Sequence, residues 1–232
     1  MAMRPGDVIS YLAMCTQQGV NLQKGMNFRL RRGRTVILMS LRPGAPYADR
    51  VEDEGRVLIY EGHDVPRRRG GPDPKSVDQP RMNPGGSLTE NGLFEEVALR
   101  YKRGEAPAER VIVYEKIRAG LWVYNGVFEL VDAWQESAGS RKVFKFKLEL
   151  LDQPVYEAAP QAVDLDHNRM IPSDVKRAVW KRDKGHCVQC GSKDNLHFDH
   201  IIPFSRGGSS LVAENIQLLC ARHNLAKRDR IE

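Results

Sequence analysis

The chain lacks any apolar run of 18 residues, and its start, MAMRPGDVISYLAMC, has no long apolar stretch. A membrane-spanning helix and a secretory leader are therefore excluded as readings, and a cytoplasmic protein is expected. Cysteine is scarce and unevenly placed: Cys15 stands alone, while Cys187, Cys190 and Cys220 crowd the last quarter. That distribution argues against a disulfide framework and for a metal site in a reducing compartment. No internal repeat is present. Acidic residues are outnumbered, 30 against 36 Lys and Arg, for a net charge of +6. A basic chain points to a polyanionic partner, because each cation paired with a phosphate releases a counterion, although charge by itself does not select nucleic acid.

What is there suits packed cores: hydrophobic residues make up 41% of 232, enough for one large domain or two modest ones. Spacing predicts a helix over Gly6 to Gln18, with Val8, Tyr11, Leu12 and Cys15 on one face and Gly19 as the stop. Strands are expected at RTVILMSL (34–41), GRVLIYEG (55–62), RVIVYEK (110–116), LWVYNGVFELVDAW (121–134) and RKVFKFKLELL (141–151). In the last, Phe144, Phe146, Leu148 and Leu150 alternate with Lys145, Lys147 and Glu149, as in a half-buried strand. A helix is expected from Leu93 to Lys102, with Leu93, Val97 and Tyr101 at helical spacing, and the Pro/Gly/Arg-rich 63–86 is read as irregular.

These elements give an α+β first domain over 1–151, expected as a curved sheet or barrel with flanking helices. A linker is expected over 152–170, and a second domain over 171–232, opening on a helix with Ile171, Val175 and Val179 on one face.

In the second domain Cys187 and Cys190 form a C-x-x-C pair, and Cys220 and His223 a C-x-x-H pair thirty residues on. Two such knuckles can close a tetrahedral structural zinc site, stabilising a unit too small to bury a full core by itself. Between them lie Asp199 and His200 at the end of an alternating strand, a Gly-Gly turn, and Asn215 before IQLL. Taken together, CVQC, FDHIIPFSRGG, ENIQLLC and HNLAK resemble the HNH (ββα-metal) endonucleases over roughly 171–231. The resemblance implies His200 as the base that activates water, with Asp199 as a ligand of a catalytic Mg²⁺ or Mn²⁺. It implies that Asn215 ties the intervening loop and that Asn224, directly after the fourth zinc ligand, supplies the second contact to the divalent ion. In the competing register His223 is the catalytic ligand and zinc keeps three cysteines. Lys227 is read as either a phosphate contact or a solvated charge. His186 and His197 are read as surface or packing residues.

The first domain resembles SRA (YDG) domains through LWVYNGVFELVDAW, with Asn125 where the signature has Asp, and through PYADRVEDEGRVLIYEG, Asp78-Gln79 and LTENGLF. That resemblance implies a curved β-barrel that flips a modified cytosine out of duplex DNA. Tyr47 and Tyr60 occupy the positions of the sandwiching aromatics, Asp49 that of the carboxylate, with Asp53 as its alternative. Arg67, Arg68 and Arg69 lie where a loop would contact DNA. The combination implies a modification-dependent endonuclease acting on double-stranded DNA with 5-methyl- or 5-hydroxymethylcytosine, working as a homodimer, with structural zinc and a catalytic divalent ion. Two alternatives stand beside it: a modified-DNA-binding protein with an inactive nuclease, and a nuclease indifferent to modification.

Overall fold

The structure, a computed structural model, describes residues 3–151, 170–203, 206–227 and 231. The expected linker lies outside the described residues except for Met170.

An eight-stranded mixed sheet dominates the first part. Its strands are β1 (Val8–Ser10), β2 (Met26–Asn27), β3 (Thr35–Met39), β4 (Arg50–Glu52), β5 (Val57–Glu61), β6 (Glu109–Arg118), β7 (Leu121–Ala138) and β8 (Arg141–Leu150). The order is β2-β3-β6-β7-β8-β5-β4, with β1 paired to the start of β7. β3 and β6 are parallel, and the other pairings are antiparallel. The expected barrel is not what forms: the sheet is open. Closure requires the two edge strands to pair, and the edges here are the two-residue β2 and the three-residue, charged β4.

The expected helix over Gly6 to Gln18 also divides. Its first part is β1, whose β-branched Val8 and Ile9 pair with Val123 and Trp122. Ser10 then caps α1 (Tyr11–Gln18), its Oγ accepting from the Ala13 N–H at 3.2 Å. The face differs as well, since Met14 and Gln18 are buried while Leu12 is exposed. In α2 (Glu90–Lys102) the buried side is Asn91, Phe94 and Ala98, one residue away from the expected stripe, and Tyr101 faces solvent. Phe94 and Ala98 pack on Phe128, Leu130, Phe144 and Phe146 to form the main core.

The second part comprises α3 (Ser173–Arg182), the hairpin β9 (Leu196–His200) and β10 (Ile216–Cys220), and α4 (Ala221–Lys227). Its core is not its own. Val175, Val179, Leu196, Phe198, Ile216 and Leu218 form one cluster with Ile117 and Val123 of the sheet. Backbone bonds stitch the same seam, with Phe198 N–H donating to Gly6 O at 3.1 Å and Met170 N–H to Gly55 O at 3.2 Å. His197, read as a surface or packing residue, pairs there with Asp7.

Candidate functional sites

Three sites can be built from these elements. In the first, the turn after α3 and the junction of β10 with α4 bring two knuckles together. Cys187, Cys190, Cys220 and His223 offer ligand atoms that all lie within 4.8 Å of one another. His223 Nδ1 is 3.3 Å from Cys187 Sγ and 3.4 Å from Cys220 Sγ, and Cys190 Sγ is 3.8 Å from Cys220 Sγ. Burial alone raises the Cys187 thiol. Backbone N–H groups of Cys220, Cys190 and Gln189, with the His223 ring, overcome that and bring it to about 6. Three sulfurs and an imidazole of this compactness suit a closed zinc site. Among the described residues no other group of three or more His, Cys, Asp and Glu is gathered in this way.

The second site lies on the hairpin beside it. Asp199 and His200 end β9, and Asn215 sits opposite, directly before β10. The Asn215 amide accepts from Ile202 N–H at 2.8 Å and donates to Ile202 O and Ser209 O at 3.0 Å each, so it closes the loop between the strands. Gly208 has to be glycine there, because a Cβ would collide with Ile202 O and lie 2.7 Å from Asn215 Nδ2. His200 is buried, with Nε2 2.8 Å from Ser210 Oγ. Asn224 lies on the first turn of α4, partly exposed and directly after His223.

Lys227 is neither a solvated charge nor an open phosphate contact. Its side chain is 1% exposed, and Nζ lies 2.8 Å from Asp199 Oδ2 and donates to His200 O. Gln217 Nε2 approaches the same carboxylate at 3.5 Å. Asp199 thus enters the site already engaged by a cation of the chain itself, a pairing that spacing along the sequence does not reveal.

The third site is a cavity of ≈ 320 Å³ in the first part, lined by Gln23, Lys24, Gly25, Leu38, Ser40, Pro46, Tyr47, Asp49, Tyr60 and His63. Tyr47, Asp49 and Tyr60 are therefore brought together. Asp53 is not: it lies exposed in the turn between β4 and β5. Desolvation is the main reason the Asp49 carboxyl rises to about 7, against bonds from the backbones of Glu61 and Ser40. The 47–49 segment is clamped by charge. Ala48 N–H donates to Glu61 Oε2 and Lys145 Nζ to Ala48 O, each at 3.1 Å, and Lys145 pairs with Glu61 at 2.9 Å. Lys75 pairs with Asp64 at 2.8 Å and lies 4.2 Å from the Tyr47 ring centroid. His63, which the sequence reading passed over, has its ring near-parallel to Tyr47, with centroids 5.6 Å apart. Arg67, Arg68 and Arg69 are exposed on the loop beyond it.

Asn125, the substituted position of the YDG-like run, is not in the cavity. It is buried at the seam, donating to Glu115 at 3.2 Å and accepting from Lys176 at 2.7 Å.

Residues 187–230 match the family described as HNH endonuclease. A curated relative, histone-lysine N-methyltransferase family member SUVH9 of Arabidopsis thaliana, is 27% identical over 103 residues, 44% of this chain. The chain spans only 14% of that protein's length. Among solved structures, the SUVH5 SRA–hemimethylated CG DNA complex aligns over 69% of this chain and 96% of that one, at 22% identity and a TM-score of 0.46. The type IV phosphorothioation-dependent restriction endonuclease ScoMcrA aligns over 99% of this chain and 56% of that one, at 15% identity and a TM-score of 0.44. The modification-dependent restriction endonuclease AspBHI aligns over 61% and 67%, at 15% identity and a TM-score of 0.41. The family match covers residues 187–230, the stretch that carries both knuckles and the Asp199–His200 hairpin.

Proposed function

We propose that the protein is a modification-dependent DNA endonuclease, with a first domain over 1–151 that takes a modified cytosine into its cavity and a second over 171–232 that cuts nearby. The observation that carries this reading is the joining of two features in one chain. One is a cavity that gathers aromatic rings and a desolvated carboxyl; the other is an HNH endonuclease domain packed against the same sheet.

Rings that cover a base and a carboxyl that meets the cytosine amino group offset the few kcal/mol that extrusion costs. The hollow admits 5-methyl- or 5-hydroxymethylcytosine, and Arg67, Arg68 and Arg69 are placed on an exposed loop for phosphate or groove contact. In the nuclease domain His200 takes the proton from water, oriented through Ser210 and the loop that Asn215 closes. Asp199 and Asn224 would hold a Mg²⁺ or Mn²⁺ ion. Such an ion supplies charge stabilisation to the phosphorane-like transition state. Zinc at Cys187, Cys190, Cys220 and His223 would hold the fold of the unit. Double-strand cleavage follows from a homodimer, one site for each strand.

A second reading, a modified-DNA-binding protein without cleavage, is favoured by the Lys227 ammonium already on Asp199. Plasmids of one sequence carrying 5-methylcytosine, 5-hydroxymethylcytosine or no modification decide between them. Cleavage of modified DNA with Mg²⁺ or Mn²⁺, lost in His200→Ala, is expected. Binding without cleavage under every divalent ion selects the second reading, and equal cutting of unmodified DNA removes the cavity from the account.

A further inference from the structure

By resemblance Tyr47 and Tyr60 would be the two planes around a base, yet the cavity is arranged otherwise. The Tyr60 side chain is nearly sealed, the residue being 1% exposed and part of the main core. Its ring is tilted by 56° to that of His63, and its hydroxyl lies 3.3 Å from His63 Nε2. The ring that lies near-parallel to Tyr47 is His63, at an interplanar angle of 23°. We propose that His63 is a specificity-determining residue of the cavity, covering Tyr47 when DNA is absent and forming the second plane against an extruded base. This rests on the base-pocket reading above.

Three observations support the assignment. The main chain of His63 is pinned on both sides by the buried Asn91 of α2, with His63 N–H donating to Oδ1 at 2.8 Å and Asn91 Nδ2 to His63 O at 2.9 Å. The backbone is therefore fixed, and any movement of the ring is confined to rotation about its side-chain bonds. Gly25 lies directly beneath: a Cβ there would come within 2.7 Å of His63 Nε2 and 2.6 Å of the Tyr60 hydroxyl, so the cavity wall is built to seat both groups. Burial also holds the imidazole far below its ordinary value, at about 4, so the ring is neutral at pH 7 and stacks without a charge to desolvate. Stacked bases lie about 3.4 Å apart, so a base between two rings needs roughly 7 Å. The Tyr47 and His63 centroids are 5.6 Å apart, and rotation of the His63 side chain opens the difference.

The test is binding of the intact, zinc-loaded protein to duplexes that differ in one 5-methylcytosine, followed by anisotropy without divalent ion. A 2-aminopurine beside the modified base reports extrusion. His63→Ala and the volume-keeping His63→Leu are expected to lose roughly tenfold in affinity for the modified duplex, together with the 2-aminopurine signal. Their affinity for the unmodified duplex is expected to stay at the wild-type level, and His63→Phe to restore most of the loss. Discrimination by His63→Leu and His63→Ala equal to wild type overturns the assignment and returns the second plane to Tyr60. Wild type that binds both duplexes alike defeats the base-pocket reading itself, and this inference with it.

Discussion

Lys176 Nζ donates to Glu115 Oε2 at 2.7 Å, and both side chains are 1% exposed. The pair joins α3 of the second part to β6 of the sheet, and Ser173 and Asn125 complete its hydrogen bonds. Burial raises the Glu115 carboxyl, but the Lys176 ammonium and the Ser173 and Asn125 bonds outweigh it and leave the group below its ordinary value. With the shared apolar cluster, this fixes where the second part sits against the sheet.

Breaking the pair on one side leaves a buried charge without its partner. Lys176→Met is expected to cost about 3–5 kcal/mol in denaturant unfolding, and Glu115→Gln with Lys176→Met much less than the single change. Because the folded Glu115 value is lowered, its contribution is full above the unfolded value near ~4.3 and is lost as pH falls through the folded value. Stability measured from pH 7 downward in wild type and in Glu115→Gln checks the sign: the wild type is the steeper.

Zinc removal separates the two histidine registers. His223→Ala, or a strong chelator, is expected to release one zinc per chain, as metal analysis reads, and to unfold the second domain, as near-UV circular dichroism reads. Asn224→Ala is expected to keep zinc and fold while cleavage falls by roughly 10–100-fold or more. The reverse pattern makes His223 the catalytic ligand.

Lys227→Met tests the cation already on Asp199. Without divalent ion the variant is expected to melt below wild type, because a buried carboxylate loses its partner. Added Mn²⁺ is expected to raise its melting temperature more than that of wild type, since the ion no longer competes with a tethered ammonium. Equal shifts in both proteins place the ion elsewhere.

Asp49 gives binding a pH dependence. Its carboxyl titrates at about 7 in the free cavity, with Glu61, Lys145, Tyr47, Tyr60 and His63 around it. If the ionised form accepts from the cytosine amino group, affinity for the methylated duplex rises as pH climbs through 7, by roughly five- to tenfold from pH 6 to 8. Stability runs the other way: the folded value is above the unfolded one, so the native state binds the extra proton and is weakened as pH rises toward 7. Asp49→Asn is expected to flatten the binding profile, measured against the unmodified duplex.

Much of this was legible along the chain. The strands β3, β5 and β8 fall inside the apolar or alternating runs that announce them, and β6 and β7 extend a few residues beyond theirs, because side-chain alternation is a local property. The C-x-x-C and C-x-x-H knuckles are set by spacings of a few residues, and the bonds of Asn215 to Ile202 and Ser209 are nearly as local. The segment 6–18 misled, since its apolar spacing fits a helix while Val8 and Ile9 find a better partner in β7, more than a hundred residues on.

The sequence by itself determined the spacing of the Cys and His knuckles, the strand pattern and the order Asp199-His200, Asn215, Asn224, all written within short stretches. Only the tertiary structure decided that Lys227 is buried on Asp199, that His63 lies over Tyr47, that Asn125 serves the seam and that the sheet stays open. Each of these depends on which distant elements pack together, and burial, which sets the worth of a charge or a ring, exists only after they have done so.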